Sequence, residues 1–495
     1  MTTVGILGGG QLARMMAISG APLGLRFLLL DNVADACAGQ FAPMLVGDYR
    51  DESILAEFAE KVDVATFDFE NVPAESAHWL SSKVAVFPNP NALAVSQDRL
   101  AEKNLFRKLG IDVPEFRDIT SFDDLQTAIA EIGMPCILKT RRLGYDGKGQ
   151  FRIKAEADIA AAWKALGAQT LTVGLILEAF VPFQREISVV AVRGRDGEFR
   201  HWALTENWHE QGVLSASLAP ATETAAFESE AVACARKVAE ALDYVGVFAL
   251  ELFLCDGRLM ANEMAPRVHN SGHWTIEGAE TSQFQNHLRA VLGLPLGSTH
   301  SVGVSCMLNW IGAMPEAGPV LNESGGHWHD YGKSARAGRK VGHATLREDT
   351  AAALAEALAR VGEALDRLAP DGIDLNFENV GGDIMIAVYN RLKAHGRMAV
   401  CGLISAYNAT KMPPSPNFAR IITHRLDIQG FLVLDYAHRA REMVAEMGPW
   451  LQGGQVKWKV HVDDGLEGAL DSLNRLFTGD HDGKLLVRVS EEPAG

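Results

Sequence analysis

The chain is 495 residues long, 47% apolar and 22% charged, the composition of a globular protein with several domains. Its net charge of −16 argues against a nucleic-acid partner or an anionic membrane surface, while leaving room for a local basic pocket. The six cysteines are scattered with no Cys-x-x-Cys pair, no apolar run is long enough to span a bilayer, and the chain enters a strand-like run just after Met1, so a reduced, cytoplasmic protein is expected.

Residues 4–7 read as a buried strand, followed by the glycine turn Gly8-Gly-Gly and an amphipathic helix beginning at Gln11 and Leu12. The next strand, 25–30, ends at Asp31. Gly8, Gly10 and Ala13 satisfy G-x-G-x-x-G/A with an acid downstream, so one reading is a dinucleotide site. The same strand–turn–helix also opens many α/β domains that bind no dinucleotide. Strands at 62–67 and 84–87 alternate with helical stretches at 51–61 and 73–82, which makes residues 1–95 a parallel-sheet α/β domain. Glu70 follows the third strand at its carboxyl end, where open sheets place ligands; a solvated loop acid is the other reading. Pro88-Asn-Pro-Asn91 reads as a linker, and 97–109 as one charged helix carrying Arg99 and Lys103.

A compact unit at 116–179 surrounds Lys139-Thr-Arg-Arg-Leu-Gly-Tyr-Asp-Gly-Lys-Gly-Gln150. Lys139 ends an apolar strand, and Gly144, Gly147 and Gly149 let the backbone approach a ligand closely. Arg141, Arg142 and Lys148 add positive charge, the pattern of a loop that covers phosphates. A plain glycine-rich surface hairpin fits the window as well, and no Gly-Lys-Ser/Thr opens a helix as in a Walker loop. The apolar strand 175–181 is interrupted by Glu178, which can take nucleoside hydroxyls while the backbone reads a base. His209, alone in its stretch, is a ligand contact or an ordinary surface or core residue.

Residues 248–254 and 259–264 read as two strands joined by a tight turn at 255–258. Glu251 falls inside the first and Asn262-Glu263 ends the second. Buried acids are costly unless paired or bound to metal, and across a hairpin these two could lie side by side. Carboxylates and an amide oxygen are hard ligands suited to Mg²⁺ beside nucleotide phosphates. Arg267, His269, Asn270 and His273 follow at once. A structural ion-pair cluster is the alternative.

Five motifs in order then resemble the PurK family of ATP-dependent 5-(carboxyamino)imidazole ribonucleotide synthases, over about residues 1–367: Gly8-Gly-Gly-Gln-Leu-Ala-Arg-Met15, Phe67-Asp-Phe-Glu-Asn-Val72, Lys139 with the loop to Gln150, Asn262-Glu-Met-Ala-Pro-Arg-Val-His-Asn-Ser-Gly-His273, and Tyr331-Gly-Lys333 with Gly338-Arg-Lys-Val-Gly-His343. The resemblance implies an α/β, ATP-grasp fold: a parallel-sheet domain at 1–95, an ATP-grasp domain at 96–298 with a lid at 116–179, and a small β-rich domain at 299–367. It implies that ATP is bound by Arg99, Lys139, the loop Gly144, Tyr145, Asp146, Gly147, Lys148, Gly149 and Gln150, then Glu178, Ala179, Phe180, Val181, Glu186, His209, Asn262 and Glu263. Glu251 and Glu263 would hold Mg²⁺. Gln11, Leu12, Glu70, Tyr145, Asp146, Lys148, His269, Asn270, Lys333 and Arg339 would contact aminoimidazole ribonucleotide, and Arg267 would join His269 and Asn270 toward bicarbonate. Asp146, with Glu70, would take the proton of the attacking amine. It also replaces the dinucleotide reading of the first glycine turn by a substrate-side domain. A homodimer is expected. A formate-using or amino-acid ligase of the same fold is the near alternative.

Residues 368–495 lie outside that pattern. Strand-like 372–378, 396–402, 428–433 and 483–489 alternate with helical 383–392 and 418–425, a half-Rossmann-like segment. It resembles the C-terminal part of medium-chain NADPH-dependent alkenal and prostaglandin reductases, with Asn379, Gly402, Tyr407 and Phe431 matching cofactor-contacting motifs. The glycine phosphate loop and the substrate domain of those enzymes are missing. The segment therefore reads as a fused remnant without reductase activity, a docking or dimerising module; a bifunctional reductase is the alternative.

Overall fold

The computed structural model describes residues 1–142, 149–210, 212–336, 338–358, 373–379, 381–389, 392–403, 419–453, 460–478 and 484–489. The chain divides into two compact units, Met1–Ala364 and Leu365–Gly495.

The first unit opens with five parallel strands, β1 (Thr3–Leu7), β2 (Arg26–Asp31), β3 (Met44–Val46), β4 (Val64–Phe67) and β5 (Ala85–Val86), in the order β3-β2-β1-β4-β5. β4 is buried along its whole length and β1 nearly so, because helices cover both faces, and both read as unbroken apolar runs. The helices are α1 (Gln11–Gly20), α2 (Glu52–Glu60) and α3 (Ala74–Ser81). Residues 88–91 are not a linker. Asn89 accepts from the Ala92 N–H and Pro90 sits in the first turn, so α4 (Pro90–Ser96) begins there. The single helix expected at 97–109 starts later, as α5 (Arg99–Lys108), because the Asp98 carboxylate caps it through the N–H groups of Leu100 and Ala101.

Residues 116–179 fold as a four-stranded sheet, β6 (Phe116–Ile119), β7 (Cys136–Thr140), β8 (Gln150–Ile153) and β9 (Leu175–Ala179), ordered β6-β9-β7-β8 and packed on α6 (Phe122–Ile132) and α7 (Ala157–Leu166) around Leu125, Leu138 and Leu177. A nine-stranded antiparallel sheet forms the body: β10 (Arg185–Arg193), β11 (Phe199–His201), β12 (Thr205–Glu210), β13 (Val213–Ala219), β14 (Gly246–Cys255), β15 (Arg258–Ala265), β16 (Val304–Ile311), β17 (Gly326–Asp330) and β18 (Lys340–Glu348). Its order is β15-β14-β10-β12-β13-β16-β18-β17, with β11 on β10. Helices α8 (Ala225–Ala241), α9 (Thr275–Gly278) and α10 (Gln283–Leu292) pack against this sheet. Phe284 and Leu288 of α10 join Val4 and Ile6 of β1 and Val190 and Val247 of the large sheet in one core, which fixes the first domain against the sheet.

The second unit holds three parallel strands in sequential order, β19 (Ile373–Glu378), β20 (Leu392–Val400) and β21 (Asp427–Gly430), around Tyr389, Leu392, Met398 and Leu426. A separate parallel pair, β22 (Val460–Asp464) and β23 (Lys484–Arg488), brackets the helix Ala469–Thr478. The expected alternation of strand and helix is present, but as two sheets. Tyr407 lies outside the described residues. Among the described residues no helix is long and apolar enough to cross a membrane.

Candidate active site

The β14–β15 hairpin sets the site. Glu251 and Glu263 face each other in register, and Ser188 on β10 lies opposite Glu251 on the other side. Side chains two apart on a strand share a face, so Glu186 joins them. Burial, then Glu263 and Glu186, push the Glu251 carboxyl well above the ordinary range. Burial and Glu263 push Glu186 up to about 7. Burial acts the same way on Glu263, but Arg99, whose Nη1 donates to it at 2.8 Å, and Lys139 outweigh this and hold it down. Such crowded carboxylates suit a hard cation. Among the described residues no group of three His, Cys, Asp or Glu side chains is placed to hold a metal ion; the pair here is Glu251 and Glu263.

Lys139, at the end of β7, donates to Glu178 Oε2 at 2.9 Å, and Lys103 of α5 lies 3.5 Å from the same oxygen. Burial alone would raise the Glu178 carboxyl; the two lysines and Arg99 instead bring it down to about 2. Its other oxygen, Oε1, is buried and has no partner among the described residues. Beside it Ile137, Glu178, Ala179, Phe180, Val181 and Phe183 line a cavity of about 60 Å³. A larger cavity of about 430 Å³, against Cys37, Gln40 and Gly332, takes in none of these residues, so the site is located by charge and not by volume. Gly149 and Gln150 flank the end of β7, with Gly149 accepting from the Thr140 N–H and Gln150 paired to Lys139. Leu143, Gly144, Tyr145, Asp146, Gly147 and Lys148 lie outside the described residues. Arg141 and Arg142 are not left over for phosphate: Arg141 makes two bonds to Asp98, at 3.0 and 2.7 Å, and Arg142 a longer one at 3.3 Å. His209 Nδ1 lies 3.4 Å from Glu186.

On the other side, Glu70 accepts from Arg267 Nε; partial burial would raise the Glu70 carboxyl, but this guanidinium outweighs it and keeps it low. His269 Nε2 lies 3.4 Å from Glu251, while its Nδ1 is 2.8 Å from Ser271 Oγ. Burial and the charge of Arg267 push His269 well below the usual histidine range, so the ring is neutral. The amide of Asn270 is buried with neither atom partnered among the described residues. Lys333 donates to Gln11 Oε1, and Arg339 to Ser334 Oγ at 2.9 Å. The Leu12 side chain is packed in the core.

The first glycine turn offers nothing to a pyrophosphate. Asp31 accepts from the Gly9 N–H at 2.6 Å, and Asp68 accepts from those of Gly10 and, at 2.9 Å, Ala13. Gly8 and Gly10 are small because Asp68 comes down on them: a Cβ at Gly10 would stand 2.5 Å from its carboxylate. The turn is closed by the protein's own acids. Sequence reasoning missed Asp68 and Asp98 in these roles, and also the polar row beside the acids, where Asn207 donates to Ser188 and accepts from Ser217 Oγ at 2.8 Å. The alternation Ser215-x-Ser217 in β13 carried a faint signal of that row.

Comparison with known proteins shows the family to which the chain belongs. Three family models match in order: the ribonucleotide synthetase preATP-grasp domain over residues 1–97, the ATP-grasp domain over 104–284, and the phosphoribosylaminoimidazole carboxylase C-terminal domain over 305–357. The N5-carboxyaminoimidazole ribonucleotide synthase of Pseudomonas aeruginosa is 51% identical over 358 residues, 72% of this chain and 98% of the relative. The crystal structure of the N5-carboxyaminoimidazole ribonucleotide synthetase of Thermus thermophilus superposes with a TM-score of 0.69 at 52% identity, covering 74% of this chain and 98% of that one. The Aspergillus clavatus synthase, solved in complex with ADP and 5-aminoimidazole ribonucleotide, gives 0.68 at 31% identity, covering 74% and 99%.

Proposed function

This chain belongs to the N5-carboxyaminoimidazole ribonucleotide synthase family, and we propose from that premise how its own residues carry out the reaction. It is an ATP-dependent carbon–nitrogen ligase of purine biosynthesis: 5-aminoimidazole ribonucleotide, bicarbonate and ATP give 5-carboxyaminoimidazole ribonucleotide, ADP and phosphate. The observation that carries the residue assignment is the facing of Glu251 and Glu263 across one hairpin, with Arg99 bonded to one acid and His269 beside the other.

Arg99, Lys139, the strand end at 178–181, Glu186, His209 and Asn262, with the loop 144–150, bind ATP in this reading. Lys139 and Arg99 bring positive charge to the phosphates, and the free Oε1 of Glu178 accepts from the nucleoside. Glu251 and Glu263 would hold magnesium, which would supply neutralising charge for the phosphoryl oxygens. A bicarbonate oxygen attacks the γ-phosphorus in line while the bond to the bridging oxygen breaks and ADP leaves. The carboxyphosphate splits to CO₂ and phosphate, a step that requires water to be kept from it. The exocyclic amine attacks the carbon of CO₂ and gives up a proton. Glu70 is an unpromising acceptor, because Arg267 holds it ionised and weakly basic; it keeps Arg267 in place near the acids, and Asp146 takes the proton. Gln11, Lys333 and Arg339 hold the ribonucleotide, with the two cations at its 5′-phosphate.

The second unit is read as a reductase remnant without its own chemistry. Three sequential parallel strands are half of a doubly wound sheet, and its exposed apolar side chains, such as Phe377 and Leu434, suit pairing with a second copy. The six free thiols suit a reducing cytoplasm. ADP release by the full chain tests the function: it should require bicarbonate and aminoimidazole ribonucleotide together. Release at full rate without either one would overturn the assignment.

A further inference from the structure

Helix α5 closes the outer edge of β15. That strand ends its sheet, so its outward backbone groups have no neighbouring strand. Side chains of α5 take their place. Lys103 Nζ donates to the Asn262 carbonyl at 3.1 Å, Glu102 accepts from the Met264 N–H at 2.8 Å, and Arg99 bonds the Glu263 carboxylate. Residues 99, 102 and 103 share one helix face, and they grip three successive strand residues.

The register shows why a grip is needed. Glu251 opposes Glu263, yet the next residue, Leu252, opposes Ala261, so Asn262 is the extra residue of a β-bulge. A bulge leaves that residue out of the ladder and re-aims the side chains beside it. Lys103 is only 1% exposed, a costly place for an ammonium. Neutralising Glu178 does not explain it, because Lys139 already bonds that carboxylate at a shorter distance.

We propose that Lys103 is a positioning residue: it fixes the carbonyl of the Asn262 bulge, so that Glu263 stays opposite Glu251. This rests on the assignment of Glu251 and Glu263 to magnesium. The test is calorimetric binding of ADP to the full-length protein, with and without Mg²⁺. Lys103→Met should leave the metal-free affinity nearly unchanged and cut the magnesium-dependent gain about 10- to 100-fold, the range seen for groups that orient metal ligands. The same loss should appear in a Glu178→Gln background. An intact gain overturns the inference, and so does a loss that vanishes in that background, since Lys103 would then serve only as a counter-charge. Glu263→Gln separates the two levels: if it leaves the gain intact, the metal assignment itself falls; if it abolishes the gain and Lys103→Met does not, only the role of Lys103 falls. Should Lys103→Met fail to fold by circular dichroism, Lys103→Gln, too short to reach both partners, is read by the same criteria.

Discussion

His287 shows how single residues join the domains. The Val247 N–H donates to its Nδ1 at 3.0 Å, which leaves the proton on Nε2 to donate to Thr66 Oγ1 at 2.7 Å. Burial pushes this histidine down to about 4. In the unfolded chain it titrates near 6.5, so below that pH the unfolded state takes up a proton that the folded state refuses. Stability from this site is therefore complete above pH ~6.5 and is lost by about 1.4 kcal/mol per pH unit as pH falls toward 4. Denaturant unfolding from pH 7 to 4 should show the wild type losing stability relative to His287→Gln at that slope. Parallel pH profiles would show that the ring is not held neutral. Some residues of this kind were legible in the sequence and others were not. Glu251 and Glu263 stood out because acids inside apolar strands need a reason. Lys103 did not, because a lysine on a charged helix looks solvated until the strand it faces is known.

At the scale of elements, the glycine turn after β1 fits a dinucleotide fingerprint letter by letter. What cancels the match is Asp68, 58 residues from Gly10, and no local pattern carries that information. Gly10→Ala would drive a Cβ into the Asp68 carboxylate and break its bonds to the amides at the head of α1. Urea unfolding should show a loss of about 1–3 kcal/mol, the cost of leaving buried polar groups unpaired. An unchanged midpoint would mean that Asp68 does not clamp the turn. The hairpin of β14 and β15 was legible from two apolar runs around a tight turn. Its bulge was not, since one extra residue alters no pattern. The helix at α4 was hidden for a related reason: Pro88-Asn-Pro-Asn91 carries turn residues that here serve as a cap and a first turn.

Across the whole molecule, the likeness to the synthases ends where the second unit begins: 72% of this chain covers 98% of the Pseudomonas synthase. Ligase chemistry should then belong to residues 1–364 alone. A chain ending there is expected to keep full turnover, measured as ADP release, and the intact chain to bind no NADPH by fluorescence titration. Lost turnover in the shortened chain, or NADPH binding by the long one, would give the second unit a working role. The two-unit plan was visible in the sequence as the point where family motifs stop and a new alternation of strand and helix begins. In this reading bicarbonate attacks the γ-phosphorus of ATP beside the acid pair. Turnover in ¹⁸O-labelled bicarbonate tests it most directly. Inorganic phosphate carrying one ¹⁸O atom per turnover is the predicted result; unlabelled phosphate alongside normal carboxylation would contradict it.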